Sequence, residues 1–188
     1  AGVPGTVRGL ELAHSNYGRK KWNETVAPAI ELAAKGFPLA ARAAESLQSA
    51  ENLAKDPESK RIFQKNGAYF HAGDRLIQPE LAATLKRIAA SGSRDFYQGE
   101  TAKRLAAEMA KHGGLITLAD LAVYQAVERK PLTGSYRGLT ILTAPPPSSG
   151  GVGLLQMLGM LEGSGYEKSG AGSAATIHYT TEVMRRFF

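Results

Sequence analysis

The sequence has no cysteine in its 188 residues. That excludes a disulfide framework, a zinc–thiolate centre and a cysteine nucleophile within this stretch. It leaves the redox compartment open, because oxidising and reducing locations both tolerate cysteine-free chains. No apolar run approaches the ~20 residues of a membrane-spanning helix. The beginning carries no signal-peptide order of basic, apolar and small-residue regions. His-Glu-x-x-His is absent, and no two histidines stand at i, i+4. His14, His71, His112 and His178 lie far apart in the chain, so neither a metal nor another cofactor is expected. A P-loop is also missing. Gly151-Val152-Gly153 offers two glycines of a dinucleotide fingerprint, but Gln156 fills the third position and three prolines precede the run. Gly163-Ser164-Gly165 lacks the spacing of a nucleophile elbow.

What is present is ordinary globular material. The chain is 43% hydrophobic and 21% charged, which is not the composition of a disordered segment. Its length suits about one domain and can bury roughly 70% of the surface of the unfolded chain. Lys and Arg number 23 against 17 Asp and Glu, a net charge of +6. The excess is spread thinly, with Arg19-Lys20-Lys21 and Lys60-Arg61 as the densest clusters. A nucleic-acid binder more typically carries a basic stripe with aromatics for stacking. Scattered charge fits solvated helix faces, so no nucleic-acid partner is expected.

Both ends read as cut. The chain opens on Ala1-Gly2-Val3-Pro4 and closes on Met184-Arg185-Arg186-Phe187-Phe188. The closing residues look like mid-helix, with no Gly or Pro stop. An excerpt from a longer polypeptide is expected.

Helical grammar dominates up to about residue 122. A first helix is expected after Thr6 as N-cap, ending before Gly18. Trp22 to Lys35 predicts a second, stopped by Gly36, a residue suited to the left-handed conformation that ends helices. Leu39 to Lys55 predicts a third. Asp56-Pro57 restarts a short helix, Asp capping and Pro at the first helical position. Gln78-Pro79-Glu80 repeats that pattern before a helix closed by Gly92. Glu100 to Lys111 follows, and Thr117-Leu118-Ala119-Asp120 reads as a capping box.

After Tyr124 the hydrophobic period changes. Tyr124 to Leu132 and Tyr136 to Ala144 read as two strands joined near Thr133-Gly134-Ser135, where a Gly signals a hairpin turn. Pro145-Pro146-Pro147 must end the pairing, because proline lacks the ladder donor. A helix from Val152 to Glu162, a Gly/Ser-rich loop over 163–172 and a last helix capped by Ser173 complete the chain. The expected organisation is α+β, mostly helical: a helical subdomain over 1–122, then a β-hairpin with helices over 123–188.

One local feature has chemical promise. Ser148, Ser149, Gly150 and Gly151 place hydroxyls and small residues at a helix N-terminus directly after a strand. Free backbone N–H groups and the positive end of the helix dipole suit an anion or carboxylate there. The plainer role is an N-cap with close helix–strand packing. Asn23-Glu24-Thr25 matches a glycosylation sequon, a pattern frequent by chance. Thr180-Thr181 falls inside a helix and reads as packing or surface.

The chain resembles the large-subunit region of the gamma-glutamyltranspeptidase (glutathione hydrolase) family across nearly its full length. The blocks are Gly2-Val3-Pro4-Gly5-Thr6-Val7 with Gly9-Leu10; Trp22 with Pro28-Ala29-Ile30, Leu32-Ala33 and Gly36-Phe37; and Phe96-Tyr97 with Gly99, then Gly113-Gly114 through Ile116-Thr117 and Asp120-Leu121 to Tyr124. The most specific is Tyr136-Arg137-Gly138 followed by Pro145-Pro146-Pro147-Ser148-Ser149-Gly150-Gly151. Each block alone is weak; the ordered set is strong.

The resemblance implies an N-terminal-nucleophile hydrolase with a four-layered αββα sandwich, to which these residues give helices and about two strands. It implies a self-cleaving precursor whose small subunit begins with a nucleophilic Thr, its own α-amino group serving as base. That Thr would attack a gamma-glutamyl amide such as glutathione, and water, an amino acid or a peptide would take the acyl group. It places the Thr, the oxyanion contacts and the substrate-amine contacts downstream of Phe188, and an Arg for the substrate carboxylate upstream of Ala1. No catalytic residue is then expected here, and the 188 residues alone should be inactive. The implied partners are the small subunit of the same precursor and gamma-glutamyl compounds, with a periplasmic or extracellular location. A non-catalytic binding or scaffold module of the same family is the alternative.

Overall fold

The computed structural model describes residues 2–188. They divide into two compact units, residues 2–126 and 127–188.

The first unit is built on helices α1 (Thr6–Tyr17), α2 (Trp22–Lys35), α3 (Ala41–Ser49), α4 (Pro57–Phe63), α5 (Pro79–Ser91), α6 (Ser93–Gln98), α7 (Glu100–Lys111) and α8 (Leu118–Val123). Helix α2 packs along α5, and the indole Nε1 of Trp22 donates to the Ile88 carbonyl at 2.8 Å. Gly36 ends α2 at φ +70°, a conformation open to glycine because it has no Cβ to clash. Four short strands form two antiparallel pairs. Strand β1 (Phe37–Pro38) pairs with β4 (Arg75–Leu76), and β2 (Gln64–Lys65) with β3 (Ala68–Tyr69).

Two apolar clusters hold this unit. Tyr97, Ala102, Ile116 and Leu121 are buried together, with Val3, Val7, Phe96, Leu105, Met109 and Tyr124 packed around them. Leu39, Phe70 and Leu76 form the second, with Leu47 against it. The capping box expected at α8 is present: Thr117 Oγ1 accepts from the Asp120 N–H, and Asp120 Oδ2 accepts from the Thr117 N–H at 2.8 Å. Asp56 caps α4 as its sequence predicts, accepting from the Ser59 N–H at 2.7 Å.

Two expectations are corrected here, and one helix was not foreseen. Gly5, not Thr6, holds the N-cap position of α1, and no side chain caps it. The Tyr124 hydroxyl lies where a Cβ on residue 5 would stand, so any side chain there would have to displace the Tyr124 ring. The expected helix from Leu39 to Lys55 is broken at Ala50 into α3 and a 3₁₀ turn over Glu51–Ala54. Helix α6 was not legible, since six residues show too little periodicity.

The second unit is a hairpin with two helices. Strands β5 (Leu132–Tyr136) and β6 (Leu139–Thr143) pair antiparallel from Leu132 opposite Thr143 to Tyr136 opposite Leu139. The turn is Arg137-Gly138, at φ +51° and +77°, not Thr133-Gly134-Ser135. Gly134 is instead mid-strand, and the Leu155 side chain occupies the space its missing Cβ leaves. Tyr124 to Pro131 is not strand; Pro131 has no N–H to give a ladder. Helices α9 (Ser149–Leu161) and α10 (Ala174–Phe187) pack together, with a 3₁₀ turn at Tyr166–Ser169 between them in sequence. Ser173 caps α10 by accepting from the Thr176 N–H at 3.2 Å.

Candidate functional site

Strand β6 ends at Thr143, and the proline run carries the chain straight into α9. Ser148 occupies the N-cap position with extended backbone, and its hydroxyl makes no capping hydrogen bond. The helix therefore begins earlier than Val152, and Ser149, Gly150 and Gly151 form its first turn. The first N–H groups of a helix lack intrahelical acceptors, so this turn presents donors. Ser148, Ser149 and Gly150 are exposed, whereas Gly151 is buried.

The two glycines differ in kind. A Cβ on Gly151 would collide with the Ala144 carbonyl oxygen and stand 2.9 Å from Thr143 Oγ1. Helix α9 thus rests directly on the end of β6. A Cβ on Gly150 would meet only Ser148 Oγ, at 3.7 Å. One turn on, the Phe187 ring fills the space over Gly153. The structure thus gathers the four predicted residues into one exposed helix start, locked from beneath by Gly151.

The other singled-out residues take structural roles. Thr180 donates its hydroxyl to the Thr176 carbonyl at 2.8 Å within α10. His14 bonds the Lys20 carbonyl at 2.9 Å. His112 lies 2.8 Å from Glu108, and His71 lies 3.6 Å from Asp74. Among the described residues, no three His, Cys, Asp or Glu side chains converge as a metal site.

A buried polar network in the first unit escaped sequence reasoning. Asp95 is 7% exposed. It accepts from Thr101 Oγ1, from Arg87 Nε at 3.3 Å and from the Glu100 N–H at 3.2 Å. Tyr97 donates to the Pro4 carbonyl at 2.7 Å, accepts from the Arg8 N–H at 3.2 Å and stacks on Tyr124. The Arg8 guanidinium sits 4.5 Å above the Tyr97 ring and donates to Ser93 Oγ at 2.6 Å. Burial pushes the Tyr97 hydroxyl above its ordinary value. These groups tie α6 to α1 and to the segment before it.

The gamma-glutamyltranspeptidase family model matches residues 1–188. The chain belongs to the gamma-glutamyltranspeptidase family. A glutathione hydrolase proenzyme of Pseudomonas sp. (strain A14) is 44% identical over 189 residues, covering 100% of this chain and 33% of the relative. The crystal structure of Helicobacter pylori gamma-glutamyltranspeptidase matches with a TM-score of 0.95 at 42% identity, covering 100% of this chain and 54% of that one. The Pseudomonas nitroreducens gamma-glutamyltranspeptidase complexed with L-DON matches with a TM-score of 0.91 at 44% identity, covering 100% and 56%. The chain thus spans about a third of the length of the curated relatives it matches. Its fold is a mostly helical α+β portion of the N-terminal-nucleophile hydrolase architecture.

Proposed function

We propose that these residues are part of a gamma-glutamyltransferase, or glutathione hydrolase, made as a self-cleaving precursor. Its nucleophilic Thr lies outside residues 1–188, heads the small subunit, and uses its own α-amino group as base. The first half-reaction transfers the gamma-glutamyl group from an amide nitrogen to the Thr oxygen, and a proton goes to the departing amine. In the second, water, an amino acid or a peptide takes the acyl group and restores the hydroxyl. The match along all 188 residues supports this reading.

Within this chain, Ser148, Ser149, Gly150 and Gly151 are the substrate-proximal candidates. An exposed helix start suits a carboxylate through its free N–H groups and dipole, and gamma-glutamyl substrates carry carboxylates. The 188 residues contribute scaffold and contain no nucleophile of the reaction. The small subunit of the same precursor is the partner, and a periplasmic or extracellular site of action follows the family. No helix among the described residues is long and apolar enough to cross a membrane.

The test is made on the full-length protein. Mass spectrometry should find a new N-terminal Thr after self-cleavage, and a Gly151→Leu variant should lose maturation or turnover. Normal self-cleavage and normal kinetics in that variant would return the segment to plain capping.

A further inference from the structure

We infer that Asn66 is a covalent self-modification site: the Gly67 backbone nitrogen closes on the Asn66 side-chain amide, and water opens the resulting succinimide to aspartate or isoaspartate.

Asn66-Gly67 is the two-residue turn between β2 and β3, which pair Lys65 opposite Ala68 and Gln64 opposite Tyr69. Both turn residues stand in the left-handed region, at φ +52° and +82°. A tight hairpin turn needs that conformation, and Asn-Gly adopts it at little cost. The same dipeptide sets a nucleophile beside an electrophile. Three atoms separate the Gly67 nitrogen from Asn66 Cγ, so their union makes a five-membered ring. Both groups are already held together on one chain, which favours the closure.

The surroundings leave this closure open. Asn66 and Gly67 are exposed. No hydrogen bond occupies the Asn66 amide or the Gly67 N–H. Nothing lies within 4 Å of the place where a Cβ on Gly67 would stand, so approach to the nitrogen is uncrowded.

The other three asparagines are placed differently. Asn23 Oδ1 accepts from the Glu24 N–H at 3.0 Å, the group that would have to attack. Asn52 Oδ1 accepts from Lys55 Nζ at 2.9 Å, and the Ala50 carbonyl holds the Leu53 N–H at 2.9 Å. Asn16 lies within α1 and precedes Tyr17. Each is followed by a side chain that crowds the nitrogen.

The reaction needs only water as co-reactant. The bond from Gly67 N to Asn66 Cγ forms as the bond from Cγ to Nδ2 breaks. The proton of the Gly67 N–H leaves with Nδ2 as ammonia. Water then adds to one of the two ring carbonyls and breaks its bond to nitrogen. Opening at Cγ gives aspartate. Opening at the main-chain carbonyl gives isoaspartate, whose backbone runs through Cβ and Cγ and is one carbon longer. The sum is one water consumed and one ammonia released, with a carboxylate in place of a neutral amide. Aspartate keeps the turn, because Asp-Gly fits it equally. The longer isoaspartyl backbone does not fit a two-residue turn and should loosen the β2–β3 pairing.

The experiment ages the full-length self-cleaved protein in warm neutral buffer. Peptide mapping by mass spectrometry, with fragmentation that separates aspartate from isoaspartate, follows each asparagine. Conversion at Asn66 should be about tenfold or more faster than at Asn16, Asn23 or Asn52. Gly67→Ala should slow it about tenfold by crowding the nitrogen. Alanine also strains this turn, so Asn66→Gln is the second variant; its ring closure would be six-membered, and residue 66 should stay unconverted over the same period. Hydrogen–deuterium exchange over residues 64–69 should rise with the isoaspartate fraction, whereas freshly purified Asn66→Asp should exchange like unaged protein. Equal conversion at all four asparagines would overturn the assignment. So would an intact Asn66 in folded protein aged long enough to convert it in the unfolded chain. The readout is covalent chemistry at one residue, so it is independent of the proposed gamma-glutamyl transfer.

Discussion

Gly151 lies directly beneath the carbonyl of Ala144, with no room for a side chain between helix α9 and the end of strand β6. A Cβ on Gly150, one residue earlier on the same helix turn, would make only an ordinary contact, 3.7 Å from Ser148 Oγ. The pair makes a matched comparison. Gly151→Ala should destabilise by about 1–3 kcal/mol through overpacking. Gly150→Ala should be neutral or stabilise by up to about 1 kcal/mol, since alanine is the better helix former. Thermal denaturation of the two variants reads the difference, and equal melting temperatures would contradict the close approach.

Asp95 is the centre of the network beneath α6. Asp95→Ala leaves the Arg87 guanidinium without its buried carboxylate and frees the Thr101 hydroxyl and the Glu100 N–H. Breaking one side of a buried pair typically costs about 3 kcal/mol or more. Denaturant unfolding should show a loss of that order, whereas Lys35→Ala at the exposed Glu31 pair should leave the unfolding midpoint nearly unchanged.

Tyr97 gives stability a dependence on alkaline pH. Burial holds its hydroxyl above the ordinary 10.0 in the folded chain. The unfolded chain therefore loses this proton first. The contribution is complete below about pH 10 and is lost as pH rises through the folded value. Tyr136 adds in the same direction, raised chiefly by its hydrogen bond with Tyr166. Tyr97→Phe should flatten the decline and, by leaving the Pro4 carbonyl unpaired, lower stability at neutral pH by about 1–3 kcal/mol. Melting temperature measured against pH for both proteins checks it.

The capping box of α8 acts at the acid end. The Thr117 hydroxyl and N–H hold the Asp120 carboxyl below its ordinary 3.8. Its contribution is present above that value and is lost as pH falls through the lower folded one. Thr117→Ala should cost about 1 kcal/mol at neutral pH and bring the Asp120 titration, followed by NMR, back toward 3.8.

Much of the helical part was legible because its signals are local. Trp22 to Lys35 has a period, an end glycine and a proline in its first half, and α2 spans those residues. Asp56-Pro57 and Thr117 with Asp120 declare their caps within four residues. The hairpin misled because its glycine signal has two causes. Gly134 is glycine for the sake of Leu155, a contact far along the chain, while the turn uses Arg137 in the left-handed region as well as Gly138. Ala50 breaks the third helix with no Gly or Pro to announce it. The four residues Ser148 to Gly151 were readable as a helix start, but Gly151's role depends on the Ala144 carbonyl. The Asp95 and Tyr97 networks join residues up to 93 positions apart, and no local pattern carries that.

The central proposal is that these residues belong to a larger enzyme whose nucleophile they do not contain. The most direct measurement is release of chromophore from a gamma-glutamyl anilide by two purified proteins, the full-length self-cleaved protein and the 188-residue chain. Release by the full-length protein, with none above a buffer blank from the shorter chain, is the predicted result. Turnover by the 188-residue chain alone, or none by the full-length self-cleaved protein, would contradict it.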